Sequence, residues 1–397
     1  MSDFVIIGGG IVGMTIALEL KSRFQSSKIS IIEKEPTVGR HASGRNSGVI
    51  HSGIYNQPGS LKSDMCLKGG KLLIDWAKEN GVTVQQVGKC IIPADEADLA
   101  VLEKLHLRAS QVGINALLIR NDDLTKIEPY AFSCVNKSLY LPDVHIIDSI
   151  GLVNRLKEEL VARGVEFIFF RKAQVRCGKL FVNGRRMDYG QLFNAAGMYS
   201  DTIAHGFGVA KDYNIVPFKG TYYRLNETSR IKVFGLIYPV PDLEMPFLGI
   251  HFTKMTNGNV YIGPNALCCF GKENYHGMQG INLEEAGQVL RCVMQMYLRK
   301  PKMRRYIHSE IFKLSKQHFV RYAKLLLPSI KHTDFERSTK CGIRAQLMNN
   351  KTNELVDDFM VVTSEKEVHV LNAVSPALTC SMAFAKYIVD QYVPYHC

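Results

Sequence analysis

The feature that most limits what this chain can become lies at its start. Asp3-Phe-Val-Ile-Ile7 is a short apolar run that breaks at once into Gly8-Gly-Gly-Ile-Val-Gly13, after which an apolar helical pattern resumes to about Phe24. A second apolar run, Lys28-Ile-Ser-Ile-Ile-Ile-Glu33, ends in an acid twenty positions after Gly13. Strand, glycine turn, helix, strand and acid in this order form a dinucleotide-binding fingerprint. Gly8 permits the tight turn, Gly10 lets backbone approach a pyrophosphate, and Gly13 lets helix and strand pack closely. The helix start offers unpaired N–H groups and a partial positive charge to phosphates. Glu33 is placed to accept hydrogen bonds from a ribose 2′-hydroxyl, and its carboxylate would repel a 2′-phosphate. The pattern also suits a plain βαβ unit with a glycine turn and no ligand.

A length of 397 residues allows two intimately joined domains around a large core. No run approaches the ~18–20 apolar residues that a membrane span requires. The first strand opens at residue 3, so no signal or transit peptide is expected ahead of it in this sequence. Lys and Arg number 49 against 37 Asp and Glu, a net charge of +12. That balance favours anionic partners: an acidic substrate, a nucleic acid or an anionic lipid surface. The densest cluster, Arg299-Lys-Pro-Lys-Met-Arg-Arg305, suits a solvated loop or helix start, or a membrane-surface contact. Basic and aromatic residues do not interleave as on an RNA-binding sheet, so no nucleic-acid partner is expected. Ten cysteines lie scattered without a CxxC or zinc spacing. A reduced, cytoplasmic protein without a metal site is the expectation.

Past the first unit comes a polar, glycine-rich stretch over residues 41–53. Helical patterns follow over 61–80, 98–112 and 149–163, the last closed by Gly164. Leu180 to Met187 reads as a hairpin turning at Asn183-Gly184. Gln191-Leu-Phe-Asn-Ala-Ala-Gly197 reads as a strand running into a small-residue turn. Residues 219–264 are strand-rich, 283–330 mainly helical, and 377–392 form a closing helix. The expected fold class is mixed α/β: a Rossmann-like nucleotide-binding domain (1–80, 145–215 and 335–397) interleaved with an antiparallel-sheet substrate domain (81–144 and 216–334).

At this point the chain resembles a known group. Gly8 to Gly13 with Glu33 is similar to the FAD-binding start of the D-amino-acid-oxidase-like flavoproteins. Gly44-Arg-Asn-Ser-Gly-Val-Ile-His-Ser-Gly-Ile-Tyr55, Pro58-Gly-Ser-Leu-Lys62 and Cys66 resemble the L-2-hydroxyglutarate dehydrogenases within that group. So do Val216-Pro-Phe-Lys-Gly220, Tyr238-Pro-Val-Pro-Asp242, Pro246-Phe-Leu-Gly-Ile-His251, Gly263-Pro-Asn-Ala266, Gly342-Ile-Arg-Ala-Gln346 and Asn372 to Thr379. Departures from the family pattern include Asn56 in place of a second tyrosine and Lys219 in place of an arginine.

The resemblance implies FAD as cofactor and oxidation of a small acidic substrate, L-2-hydroxyglutarate or a close 2-hydroxy acid. Electrons would pass to a quinone or another acceptor, with peripheral contact on the inner face of a membrane. Gly8, Gly10, Gly13 and Glu33 would hold the ADP half. Ser43, Asn46 and Ser47 would lie close to the flavin, as would Ala195, Gly197, Ser375, Pro376 and Thr379. Val175 would offer backbone to the adenine.

The chemistry requires a base and cations. Histidine titrates in the useful range, so His51 is the candidate base, although it could instead only hydrogen-bond flavin or backbone. Arg344 offers an always-charged fork to a carboxylate, or a structural ion pair. Lys219 could bind a second carboxylate or orient the flavin. Tyr55, Tyr223 and His251 are candidate pocket contacts, each equally suited to packing. Asn265 could orient substrate or simply shape a turn. Nucleophile-elbow, Walker and HExxH patterns are absent. Other readings are an amino-acid or glycerol 3-phosphate oxidoreductase of the same superfamily, or a catalytically silent flavin-binding protein.

Overall fold

The computed structural model describes residues 2–243, 245 and 247–394; Pro246 of the 246–251 motif and the ends of the expected nucleotide-binding domain, residues 1 and 395–397, lie outside them. Two sheets carry the architecture. The first has six strands in the spatial order Val361–Thr363, Glu367–Val370, Tyr189–Asn194, Ser2–Ile7, Ile29–Ile32 and Glu166–Ile168. Its pairings are parallel, apart from the antiparallel edge pair 361–363 with 367–370. Parallel strands are covered on both faces, which explains why Ile29–Ile32 and most of Ser2–Ile7 are buried throughout and, apart from Ser30, apolar. Helices Ile11–Arg23, Leu61–Glu79 and Ala377–Tyr392 build the largest core on one face, with Met14, Leu20, Leu73, Phe193 and Phe384 near its centre. The hairpin closing at Asn183 and Gly184, both at positive φ (53° and 75°), covers the other face.

The second sheet has ten strands, mostly antiparallel. Its spine is one long pair, Tyr213–Leu225 against Phe335–Asn349, in continuous register from Tyr213↔Asn349 to Leu225↔Phe335 apart from a bulge at Thr221–Tyr223. The segment 335–349 was expected with the nucleotide-binding part, but its first strand pairs into this larger sheet. The reason is its period-2 pattern over 340–344: Cys341 and Ile343 are buried on one face while Lys340, Gly342 and Arg344 alternate with them. Helices Leu283–Arg299, Pro301–Phe312 and Lys316–Lys324 pack outside this sheet. The cavity described next runs between the two sheets.

Candidate active site

A single cavity of about 510 Å3 extends from the glycine turn, past residues 40–51, to the face of the long strand pair. At the nucleotide end, Gly8 adopts φ +108°, and a Cβ there would lie 2.4 Å from the carbonyl oxygen of Ala195. A Cβ on Gly13 would come within 2.1 Å of the carbonyl of Gly8. The turn is therefore closed to any side chain at these two positions. The helix that follows begins at Ile11 with no acidic residue in its first turn, and its start faces the cavity. Glu33 accepts the Gly9 N–H at 2.8 Å and the Glu35 N–H at 2.9 Å. The acid thus braces the turn and keeps a carboxylate at the cavity wall.

A second helix start faces the same space. Ser375, Pro376 and Thr379 open the helix Ala377–Tyr392, which also carries no first-turn acid. Both helix dipoles direct positive charge inward, toward a bound anion or an electron-rich ring edge. Ala195 and Gly197 line the opposite wall. Ser43 and Asn46 line the cavity and also shape it. The Ser43 hydroxyl accepts the N–H of Ile11 at 2.9 Å, and Asn46 accepts the Gly48 N–H at 2.8 Å and the Ser149 hydroxyl at 2.6 Å. Ser47 lines the cavity with them. Val175 does not: it packs on Gly206, and Ala173, two residues earlier, reaches the wall instead.

At the far end stand His51, Tyr222, Tyr238, His251, Asn265 and Arg344. His51 follows the two-residue strand Val49–Ile50; its N–H donates to the Thr379 hydroxyl at 3.0 Å and its carbonyl accepts the Cys66 thiol at 3.2 Å. Burial, and then the charge of Lys89, pull the imidazole down to about 3, so His51 is neutral at neutral pH. His251, bonded to the Gly249 carbonyl at 2.7 Å and stacked 3.9 Å from the Tyr238 ring, is likewise drawn down to about 3 by burial. Arg344 donates to Gln346 at 3.0 Å and lies 5.3 Å from the Phe247 ring; burial lowers it to about 10, so it stays cationic. Asn265 spends its carbonyl oxygen on the N–H (2.8 Å) and hydroxyl (2.9 Å) of Thr221.

The period-2 alternation of strand Tyr213–Leu225 decides three further residues. Phe218, Gly220 and Tyr222 face the cavity, while Lys219 turns to the other side, where its charge acts on the Cys269 and Cys341 thiols. Tyr223 packs edge-on against Phe319 at 4.9 Å and Phe335 at 5.8 Å in the core of the large sheet, so the tyrosine at the wall is Tyr222. Tyr55 does not line the cavity either; its buried hydroxyl has no hydrogen-bond partner among the described residues. One group escaped sequence reasoning altogether: Lys89, buried behind Tyr238. A lone lysine at a strand start carries no mark of burial. Tyr222 and Tyr238 were readable from alternation and from the 238–242 motif respectively.

Near the nucleotide end, ligand atoms of Glu35, His41 and Glu273 lie within 4.8 Å of one another. The Lys34 ammonium already joins them, bonded to Glu35, to Glu273 at 2.6 Å and to His41 at 2.8 Å, so a metal would have to displace it.

The family profile of FAD dependent oxidoreductases matches residues 3–391. The chain belongs to this family. It is 33% identical over 399 residues to an L-2-hydroxyglutarate dehydrogenase of Indibacter alkaliphilus, covering 97% of each chain. It is 31% identical to the L-2-hydroxyglutarate dehydrogenase of Escherichia coli K12, covering 98% of this chain and 93% of that one. Among solved structures, the FAD-bound L-α-glycerophosphate oxidase of Mycoplasma pneumoniae superposes with a TM-score of 0.77 at 21% identity, over 98% of this chain and 94% of that one, which bears on the fold. The cofactor of the chain is FAD. The cavity suits it: a side-chain-free glycine turn and a helix start for the diphosphate, Glu33 for the ribose, and a second helix start at the far end.

Proposed function

We propose that this flavoenzyme oxidises L-2-hydroxyglutarate, or a close 2-hydroxy diacid, to the 2-oxo acid. The observation that carries this reading is the placement of neutral His51 and cationic Arg344 at the far end of the same cavity that begins at the glycine turn. The names of the relatives point to the same substrate. Bound FAD supplies the acceptor for the two electrons that leave the α-carbon. Arg344 binds a carboxylate and so fixes the α-carbon. His51 accepts the hydroxyl proton as the carbonyl forms, a role open only to an unprotonated imidazole. Carboxylates arriving beside His51 oppose the cations that hold its affinity for protons down, so substrate itself strengthens the base.

Anaerobic addition of L-2-hydroxyglutarate should bleach the yellow holoprotein, tested beside a panel of other 2-hydroxy and 2-amino acids. Bleaching by an amino acid alone would overturn the substrate assignment.

The electrons would then pass to a quinone at an anionic membrane surface. The support is the helical segment 283–324, which holds ten Lys and Arg against three Asp and Glu, a net +7 of the chain's +12. Leu283, Leu290, Leu298, Phe312 and Leu314 are exposed on it. Apolar side chains set among basic ones suit the interface of an anionic leaflet. Among the described residues no helix is long and apolar enough to cross a membrane. Failure to co-sediment with phosphatidylserine-containing vesicles at low salt would remove this arm of the reading.

A further inference from the structure

Lys89 opens the strand Lys89–Ile92 and is only 2% exposed. Its ammonium lies 4.2 Å from the ring centre of Tyr55 and 4.0 Å from that of Tyr238, held between the two faces. Among the described residues it has no carboxylate partner and no hydrogen-bond acceptor. Ring faces offset part of the cost of burying a cation but leave its charge uncancelled, and burial draws the ammonium down to about 7, so that an arriving carboxylate would hold its proton on. Buried cations in folded proteins are ordinarily paired, so an uncancelled one beside a ligand cavity marks a place for an anion.

Its surroundings identify the cavity it serves. Tyr238 and His251, stacked together, and His51 all line the far end. The two cations whose charge acts on His51 are Lys89 and Arg344. His251, the third neighbour, is neutral and supplies a dipole rather than a charge. The candidate base therefore lies within the field of two positive groups. A 2-hydroxy diacid has the complementary shape, with its reacting carbon between two carboxylates. Lys219, the sequence candidate for the second carboxylate, faces away from the cavity.

We propose that Lys89 determines specificity for a dicarboxylate, supplying the charge for the carboxylate remote from the reacting carbon while Arg344 takes the one beside it. This rests on the reading of the site as a 2-hydroxy diacid oxidase. Lys89 acts from behind the Tyr238–His251 wall, through the potential it sets there and through the ring pair it holds. The Cys66 thiol is the remaining titratable group whose interaction with Lys89 is resolved.

The test uses the FAD-loaded full chain and two unreactive probes of equal length, glutarate and pentanoate, titrated by the change in flavin absorbance. The wild type should bind glutarate at least tenfold more tightly than pentanoate. Lys89→Met should abolish that preference and leave pentanoate affinity within threefold, and Lys89→Arg should keep most of it. With L-2-hydroxyglutarate as substrate, Lys89→Met should raise KM far more than it lowers kcat. A wild type without glutarate preference, or a Lys89→Met variant that weakens both probes equally, overturns the proposal. Should Lys89→Met not fold, Lys219→Met decides: the preference must survive it, and its loss would transfer the role to Lys219. If glutarate is preferred but L-2-hydroxyglutarate never bleaches the flavin, the catalytic reading fails while this one stands.

Discussion

His51 shows how a side chain with an ordinary proton affinity near neutrality is converted into a fixed, unprotonated group: burial removes water, and Lys89 and Arg344 add positive charge around it. Removing the imidazole should therefore leave the fold intact, because the contacts to Thr379 and Cys66 are made by its backbone. His51→Ala should bind FAD as the wild type does, yet slow anaerobic flavin reduction by roughly 10²–10⁴-fold, the usual worth of a general base. Arg344→Met should instead cost about 2–5 kcal/mol in kcat/KM, the range for truncating one partner of a buried, hydrogen-bonded charge pair, read from steady-state kinetics with an artificial acceptor. His51 and Arg344 were legible as cavity residues because each lies in a segment that matches the family pattern, 44–55 and 342–346. Lys89 was not, since nothing local separates a buried strand lysine from an exposed one; only the tertiary packing of Tyr55 and Tyr238 around it does so.

At the scale of elements, the site is made where segments distant in sequence touch. Helix Leu61–Glu79 crosses helix Ala377–Tyr392 at Gly69, where a Cβ would lie 2.7 Å from the Thr379 carbonyl oxygen and 2.8 Å from the Cys380 Cα. Gly69→Ala must push these helices apart. It should destabilise the protein by about 1–3 kcal/mol, the range for overpacking. It should also slow flavin reduction, because Thr379 holds the His51 backbone. Thermal melting and stopped-flow reduction read the two effects separately. The glycine turn, the hairpin at Asn183-Gly184 and the helix closed by Gly164 were readable because local rules fix them. The strand Phe335–Asn349 and the choice between Tyr222 and Tyr223 were harder. Both turn on which face of a long strand is inward, and that is settled by register with a partner more than a hundred residues away.

At the scale of the whole molecule, stability should depend on pH through buried imidazoles. His51 and His251 are drawn down to about 3, and His369, bonded to Asn194 at 3.1 Å inside the six-stranded sheet, to about 4. An unfolded chain protonates these rings near pH ~6.5. Between that value and the folded ones, the unfolded state holds more protons, so the imidazoles' contribution is full above pH ~6.5 and falls as pH drops below it; Lys89, drawn down to about 7 by burial, adds its own loss at higher pH, between its ordinary value and about 7. Two carboxyls raised by burial, Glu128 to about 7 and Asp98, work in the opposite direction as pH falls towards their ordinary values, but they are two groups against three. Melting temperatures at saturating FAD should decline from pH 7.5 to 5; a flat profile would show that the imidazoles are not neutral in the folded state. The sheet order carries a consequence for synthesis. The glycine turn is made first, yet the backbone clamp on His51 comes from Thr379 and the wall opposite it from Ser375 and Pro376. A ribosome-bound chain can thus shape the diphosphate cradle early, but if His51 is the base as proposed, it is positioned only once the closing helix has emerged and docked, and partially made copies would be barred from turnover.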